Sequence, residues 1–130
     1  MFRGGFESTI DARGRIDLSP FFFEELKKHK KYVLATTEAE NCLSLCPVPH
    51  KKIIGIVEEK ISFSEPARIC EGKLFIPPDL IKYAKLKKKV FLIGCGEKIE
   101  IWDEKMWWEL VEMTQKSFKK VSKTLKTLGF

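Results

Sequence analysis

Short runs of strand-favouring residues, separated by glycine and proline, set the rhythm of this chain. Near the start, Phe6, Thr9, Ile10, Ile16 and Leu18 predict two short strands. Between them Asp11-Ala12-Arg13-Gly14-Arg15 reads as a tight turn. Its glycine can take positive φ, and its aspartate can bond the turn backbone. Pro20 then opens a predicted helix over 21–31, with Glu24-Glu25 early and Lys27-Lys28 late, as the helix dipole favours. Phe22, Phe23 and Leu26 supply its buried face. Tyr32 to Thr36 and Cys42 to Cys46 predict strands around a polar turn, with Pro47 and Pro49 as punctuation. Ile53, Ile54, Ile56, Val57 and Ile61 recur at helical spacing, so a helix is expected over about 50–60.

The second half repeats this grammar. Residues 61–64 read as extended and Glu65-Pro66 as a break, followed by a second glycine turn over 68–73. Leu74 to Ile76 is a predicted strand, and Pro77-Pro78 opens a short helix holding Leu80, Ile81 and Ala84. Val90 to Ile93 and Ile99 to Trp102 are predicted strands flanking a Gly94-Cys95-Gly96-Glu97 turn. In the tail, Trp107, Val111, Thr114, Phe118, Val121, Leu125 and Leu128 fall at alternating spacings of four and three. That seam predicts a helix over about 104–128, capped by Asp103 and ended by Gly129. It fits packing onto the rest of the chain, a helix between subunits, or a basic arm along DNA.

Placing Gly14 over Gly72, an offset of 58 residues, sets the halves in register. Arg15 to Pro20 then lies over Lys73 to Pro78, the lysine run 27–31 over 85–89, and Tyr32 to Ala35 over Val90 to Ile93. After a two-residue slip, Asn41 to Leu45 lies over Glu97 to Ile101. The reading is a single domain, 1–130, with internal repeats of about 1–60 and 61–110.

Charge adds a partner class. The chain carries a formal net charge of +6 and an isoelectric point near 9.1, which favours an anionic partner: DNA, RNA or an anionic membrane surface. Three of the four arginines, Arg3, Arg13 and Arg15, fall within the first 15 residues. Arginine offers a planar fork of donors that matches phosphate and the guanine edge. Their concentration points to a recognition surface. The same residues also fit an exposed hairpin whose arginines pair with Glu7, Asp11 and Asp17. The lysine runs fit either phosphate contacts or solvated helix ends.

Other chemistries find little support. No apolar run approaches the roughly 20 residues that cross a bilayer, so no membrane partner is expected. A charged start predicts an intracellular, reducing setting with free thiols. Cys42 and Cys46, with Cys70, Cys95, His29 and His50, supply one metal-like pair lying in a strand, so no metal is expected and the cysteines read as small buried residues. No nucleophile–base pair, phosphate-cradling loop or G-x-S-x-G turn is present, so no catalytic residue, cofactor or small-molecule substrate is assigned and the protein is not expected to be an enzyme.

The separated motifs resemble the MraZ family of the AbrB-like swapped-hairpin DNA-binding group. They are Met1-Phe2-Arg3-Gly4, the Asp-x-x-x-Arg element Asp11 to Arg15, Ile76-Pro77-Pro78-Asp79-Leu80 with Tyr83-Ala84, and Leu92 to Asp103. The resemblance spans about 1–110. It implies a cytoplasmic, nucleoid-associated bacterial transcription factor that binds double-stranded DNA at repeated operators of the division and cell-wall gene cluster. Such proteins often repress, and they assemble with themselves into rings. Two departures stand out: Ile69 and Lys73 occupy the aspartate and arginine positions of the second element, and the segment between the repeats is short. An interaction scaffold that kept the fold but lost specific DNA binding is the alternative.

The expected fold is therefore α+β: an internally duplicated swapped-hairpin (double-split) β-barrel with peripheral helices and a long C-terminal helix. Arg13 and Arg15 are expected to read bases, with Arg3 and Lys73 as further DNA contacts. Asp11, Gly14 and Gly72 are expected to shape the turns.

Overall fold

The computed structural model describes residues 2–28, 31–37, 42–48 and 61–127. The predicted helix over 50–60, the Thr37 to Asn41 turn beyond Thr37, and the Gly129 helix end lie outside these residues. The chain runs β1 (Gly5–Thr9), β2 (Arg15–Asp17), α1 (Pro20–Leu26), β3 (Lys31–Thr37) and β4 (Leu43–Val48). It continues with β5 (Ile61–Pro66), β6 (Arg68–Cys70), β7 (Lys73–Phe75), α2 (Pro78–Tyr83), β8 (Lys89–Gly94), β9 (Ile99–Asp103) and α3 (Glu104–Thr127).

The described strands form two antiparallel sheets. One has the order β1-β8-β9-β4-β3-β5, the other β2-β7-β6. The fold is α+β, as expected, but among the described residues the larger sheet has two open ends, β1 and β5, and is not a closed barrel. The physical reason is that the chain changes sheets. β5 passes through Ala67 into β6, and β1 ends at a single Ile10–Ile16 bridge before β2 joins β7.

The register is informative. The 58-residue offset carries Pro20, the first residue of α1, onto Pro78, the first of α2, and Lys31 onto Lys89 at the starts of β3 and β8. In β2–β7, Ile16 pairs with Leu74, the residue it aligns with. In β4–β9, Ser44 pairs with Glu100, again its aligned counterpart after the two-residue slip. Both Ile16 and Leu74 are fully buried, and they meet Leu34, Leu45, Leu92 and Ile101 in one continuous core.

Local chemistry sets the element ends. Ser19 Oγ accepts from Phe21 N at 3.2 Å and Pro20 occupies the first turn, so α1 starts where predicted. It stops at Leu26 rather than Lys31, because Lys31 opens β3 and the Tyr32 hydroxyl donates to the Leu26 carbonyl. Two prolines expected to interrupt strands instead lie within them. Pro66 is in β5, an end strand; Pro47 is in β4 beyond Leu45, where the β9 pairing stops. A missing N–H costs no ladder bond at such edge positions.

The start of α3 packs through aromatic rings. Trp107 lies 6.5 Å from Phe91 and 6.0 Å from Trp102, and Trp108 meets Phe91 edge-on at 5.6 Å. Trp107 and Val111 are half-buried, whereas Thr114 is exposed. Asp103, expected to cap this helix, is buried and accepts from Lys87 N at 3.1 Å.

Candidate nucleic-acid interface

The Asp11–Arg15 turn is built around one carboxylate. Asp11 Oδ1 accepts from the backbone N–H groups of Arg13 and Arg15, both at 2.9 Å. Oδ2 accepts from Arg15 Nε at 2.8 Å. The turn closes through Gly14 N to Asp11 O at 3.0 Å and Asp11 N to Arg15 O at 2.9 Å. An aspartate that satisfies two turn amides is the behaviour expected of its short acceptor side chain. The Arg15 backbone N–H is the largest influence holding the Asp11 carboxyl below its ordinary value; the Arg15 side chain and the Arg13 N–H add to it, against a partial opposition from burial. The carboxylate therefore stays charged and keeps its three donors.

Gly14 is required here. Its φ is +78°, and a Cβ would lie 3.0 Å from the Ile76 carbonyl. The close approach serves a hydrogen bond, Ile76 N to Gly14 O at 2.8 Å, that pins the loop to the end of β7. Arg13 is exposed at the tip, and the Arg15 side chain is 40% exposed. Of the hairpin ion pairs considered from sequence, Arg15 with Asp11 forms, while Asp17 faces Lys73 at 3.6 Å.

The second loop differs. Cys70 pairs with Lys73, so only Glu71 and Gly72 turn the chain, with φ of 52° and 75°. Positive φ at both central residues is the signature of a two-residue type I′ hairpin. Ile69 stands where a carboxylate would bracket the turn. It pairs with Leu74 and packs on the core instead. The sequence reading of a longer turn over 68–73 is corrected accordingly: 68–70 are strand.

Not all the predicted site residues converge. Arg13 and Arg15 share one loop. Lys73 sits at the opposite end of the β2–β7 ladder, because Arg15 pairs with Phe75 and Asp17 with Lys73. Gly72 O accepts from Leu18 N at 2.9 Å, mirroring the Gly14–Ile76 bond at that far end. Arg3 lies beyond the other end of β1, beside Gly94 and the Phe2–Gly96 bridge. At about 3.3 Å per extended residue, that is on the order of 20 Å from the Asp11 loop.

The register brings a further arginine, not named from sequence, onto the same sheet face. Arg68 pairs with Phe75, which pairs with Arg15, so the three share one cross-strand row. With Ile16 and Leu74 turned into the core, alternation puts this row on the outer face. Only the β6–β7 register reveals it.

Comparison with known proteins bears on this site. The chain is 33% identical to the transcriptional regulator MraZ of Thermoanaerobacter sp. (strain X514), with 99% of each chain covered. It is 33% identical to the protein of that name from Caldanaerobacter subterraneus subsp. tengcongensis and 30% identical to that from Carboxydothermus hydrogenoformans, with 96% of each chain covered. The chain belongs to the MraZ family. A family model described as "MraZ protein, putative antitoxin-like" also matches residues 70–128.

In this MraZ-family chain part of the first lysine run is engaged locally. Lys27 and Lys28 reach Glu24 and Glu25 within α1, at 3.2 and 3.0 Å, as a solvated helix end does. Cys42 and Cys46 are buried, whereas Cys70 and Cys95 are exposed, contrary to the reading of all four as buried residues. Among the described residues no helix is long and apolar enough to cross a membrane.

Proposed function

We propose that this protein is a sequence-specific, double-stranded-DNA-binding transcriptional regulator, not an enzyme, whose reading head is the Asp11–Arg15 loop. The observation that carries the reading is the Asp11 carboxylate clamp. It fixes the backbone of the loop and one side of the Arg15 guanidinium while Arg13 remains exposed. Pre-organised arginines of this kind suit the guanine edge in the major groove, at roughly 1–3 kcal/mol of base discrimination per good bidentate contact. The names of the relatives support transcriptional regulation.

The finer reading is a repressor at repeated operators of the division and cell-wall cluster, acting as a cytoplasmic, nucleoid-associated homo-oligomer. Two observations support a swapped-hairpin duplication behind it. Ile16 and Ser44 each pair with their own aligned counterparts, as a pseudo-twofold axis through both ladders requires. Only one loop of the two carries a carboxylate clamp, so repeated sites read by several subunits would multiply a modest affinity through effective concentration. Arg3 and Lys73, remote from the loop, are assigned to phosphates and not to bases.

The test is selection of a preferred duplex from a random pool, followed by binding measurements with R13A and R15A. Each variant should lose base preference while keeping non-specific binding. Undiminished preference in both would reject the loop as the reading head. The missing clamp at Ile69 favours a second reading, a scaffold without base preference. That reading requires wild-type protein to bind all duplexes alike at every salt concentration.

A further inference from the structure

We propose that Arg68 is an additional DNA-contacting residue, one that grips a backbone phosphate beside the groove entered by the Asp11–Arg15 loop. This rests on the loop being the reading head. The argument starts from the register. Arg15, Phe75 and Arg68 are directly opposite one another across β2, β7 and β6. Neighbouring strands stand about 4.8 Å apart, so the Arg15 and Arg68 backbones are separated by about 10 Å. Phe75, half-buried between them, keeps the two arginine stems apart; its ring carbon passes 3.7 Å from where a Cβ on Gly14 would stand.

Scale then decides what Arg68 meets. The major groove is about 12 Å wide. A residue about 10 Å to the side of the loop root lies over the groove wall, where phosphates are, and not over base edges. Arg68 is exposed, and among the described residues its guanidinium has no ion pair, whereas Arg15 is committed to Asp11 through Nε. Arg68 also lines a shallow hollow of about 320 Å³ with Glu65, Pro66, Phe75 and Pro77. Glu65 is the opposing charge in that hollow, and it weakens an anion's hold there.

The experiment compares full-length wild type, R68A, R68Q, R68K and E65Q on the selected duplex and on an unrelated duplex across a salt series. Removing one phosphate contact should make the slope of log affinity against log salt shallower by about 0.9 per bound chain. R68A and R68Q should therefore weaken both duplexes by the same several-fold factor, with base preference intact. R68K should keep the wild-type slope, and E65Q should tighten both. Wild-type slopes and affinities in R68A and R68Q would overturn the proposal, as would a change of base preference without a change of slope. If R68A fails to fold by circular dichroism, R68Q, which keeps a long polar stem, decides. Failure of the loop reading is separately visible, because R13A and R15A would then keep base preference whatever Arg68 does.

Discussion

Asp11 holds Arg15 by the inner nitrogen of its guanidinium: Oδ2 meets Nε at 2.8 Å, which leaves the terminal nitrogens of the fork for another acceptor. The same carboxylate satisfies two turn amides through Oδ1. These two tasks can be separated. D11N keeps an Oδ1 acceptor for the Arg13 and Arg15 amides but places an NH₂ donor against the donor Nε. We expect D11N to keep the fold and non-specific binding while losing much of the base preference. D11A, which also leaves the amides without their acceptor, should perturb the loop itself. Backbone amide shifts of Arg13 and Arg15, with binding to matched and mismatched duplexes, check both.

The clamp also has a pH signature. Three donors, led by the Arg15 backbone N–H, lower the Asp11 carboxyl from its ordinary 3.8. A group whose folded value is depressed contributes stability above its unfolded value and loses it as pH falls through the folded one. The loop should therefore be indifferent to pH from neutrality down to about 5 and open only below about 4. A carbon-detected titration of Asp11 should give a midpoint below 3.8, and in R15K that midpoint should move up towards the ordinary value.

Three glycines should respond differently to alanine, because their surroundings differ. Gly72 has φ of +75° and open space around a Cβ, so G72A meets backbone strain alone, about 1 kcal/mol. Gly14 adds a 3.0 Å contact with the Ile76 carbonyl, so G14A should cost more, about 2 kcal/mol, and disturb the Asp11–Arg15 loop. At Gly94 a Cβ would stand 2.5 Å from Arg3 N, against backbone that cannot yield without moving the amino-terminal segment. G94A should detach residues 2–4 from β8, seen as lost exchange protection at the Gly94 amide, which donates to Gly4 O. Chemical denaturation ranks the first two; an equal cost for G14A and G72A would contradict the contact argument.

These contrasts show what was legible in the residues. The Asp11 turn and the start of α1 at Pro20 could be read because each depends on local chemistry. Sheet membership could not. Whether Pro47 and Pro66 break a strand depends on which neighbour is missing, and that is a property of β9 and the sheet edge, not of the prolines. The same holds for Arg68, whose row exists only once β6 is laid on β7. Ile69 was read as a degraded carboxylate position; in the fold it extends the buried row of Ile16 and Leu74. Asp103 was read as a helix cap from its place before Glu104; its further tie, through Oδ1 to Lys87 N in the loop before β8, could not be read from the chain.

The last prediction concerns α3, whose start packs on the sheet through Trp107. Trp107 sits between Phe91 and Trp102, while Trp108 is 51% exposed and touches Phe91 by its edge. Full burial of a tryptophan makes its loss cost about 3–5 kcal/mol; the half-buried Trp107 should cost about half of that in W107A. W108A should lose little beyond one aromatic pair, roughly 0.5–1.5 kcal/mol. Past Val111 the described side chains, Glu112 to Lys116, are exposed, with Leu110 O accepting from Thr114 Oγ1 at 2.9 Å. Those exposed side chains leave two candidate supports to test, the Trp107 anchor and a second copy of the chain. Hydrogen exchange on W107A separates the two supports. Protection over 111–116 should collapse at every protein concentration if the anchor alone suffices. It should recover at high concentration if a second copy covers the seam.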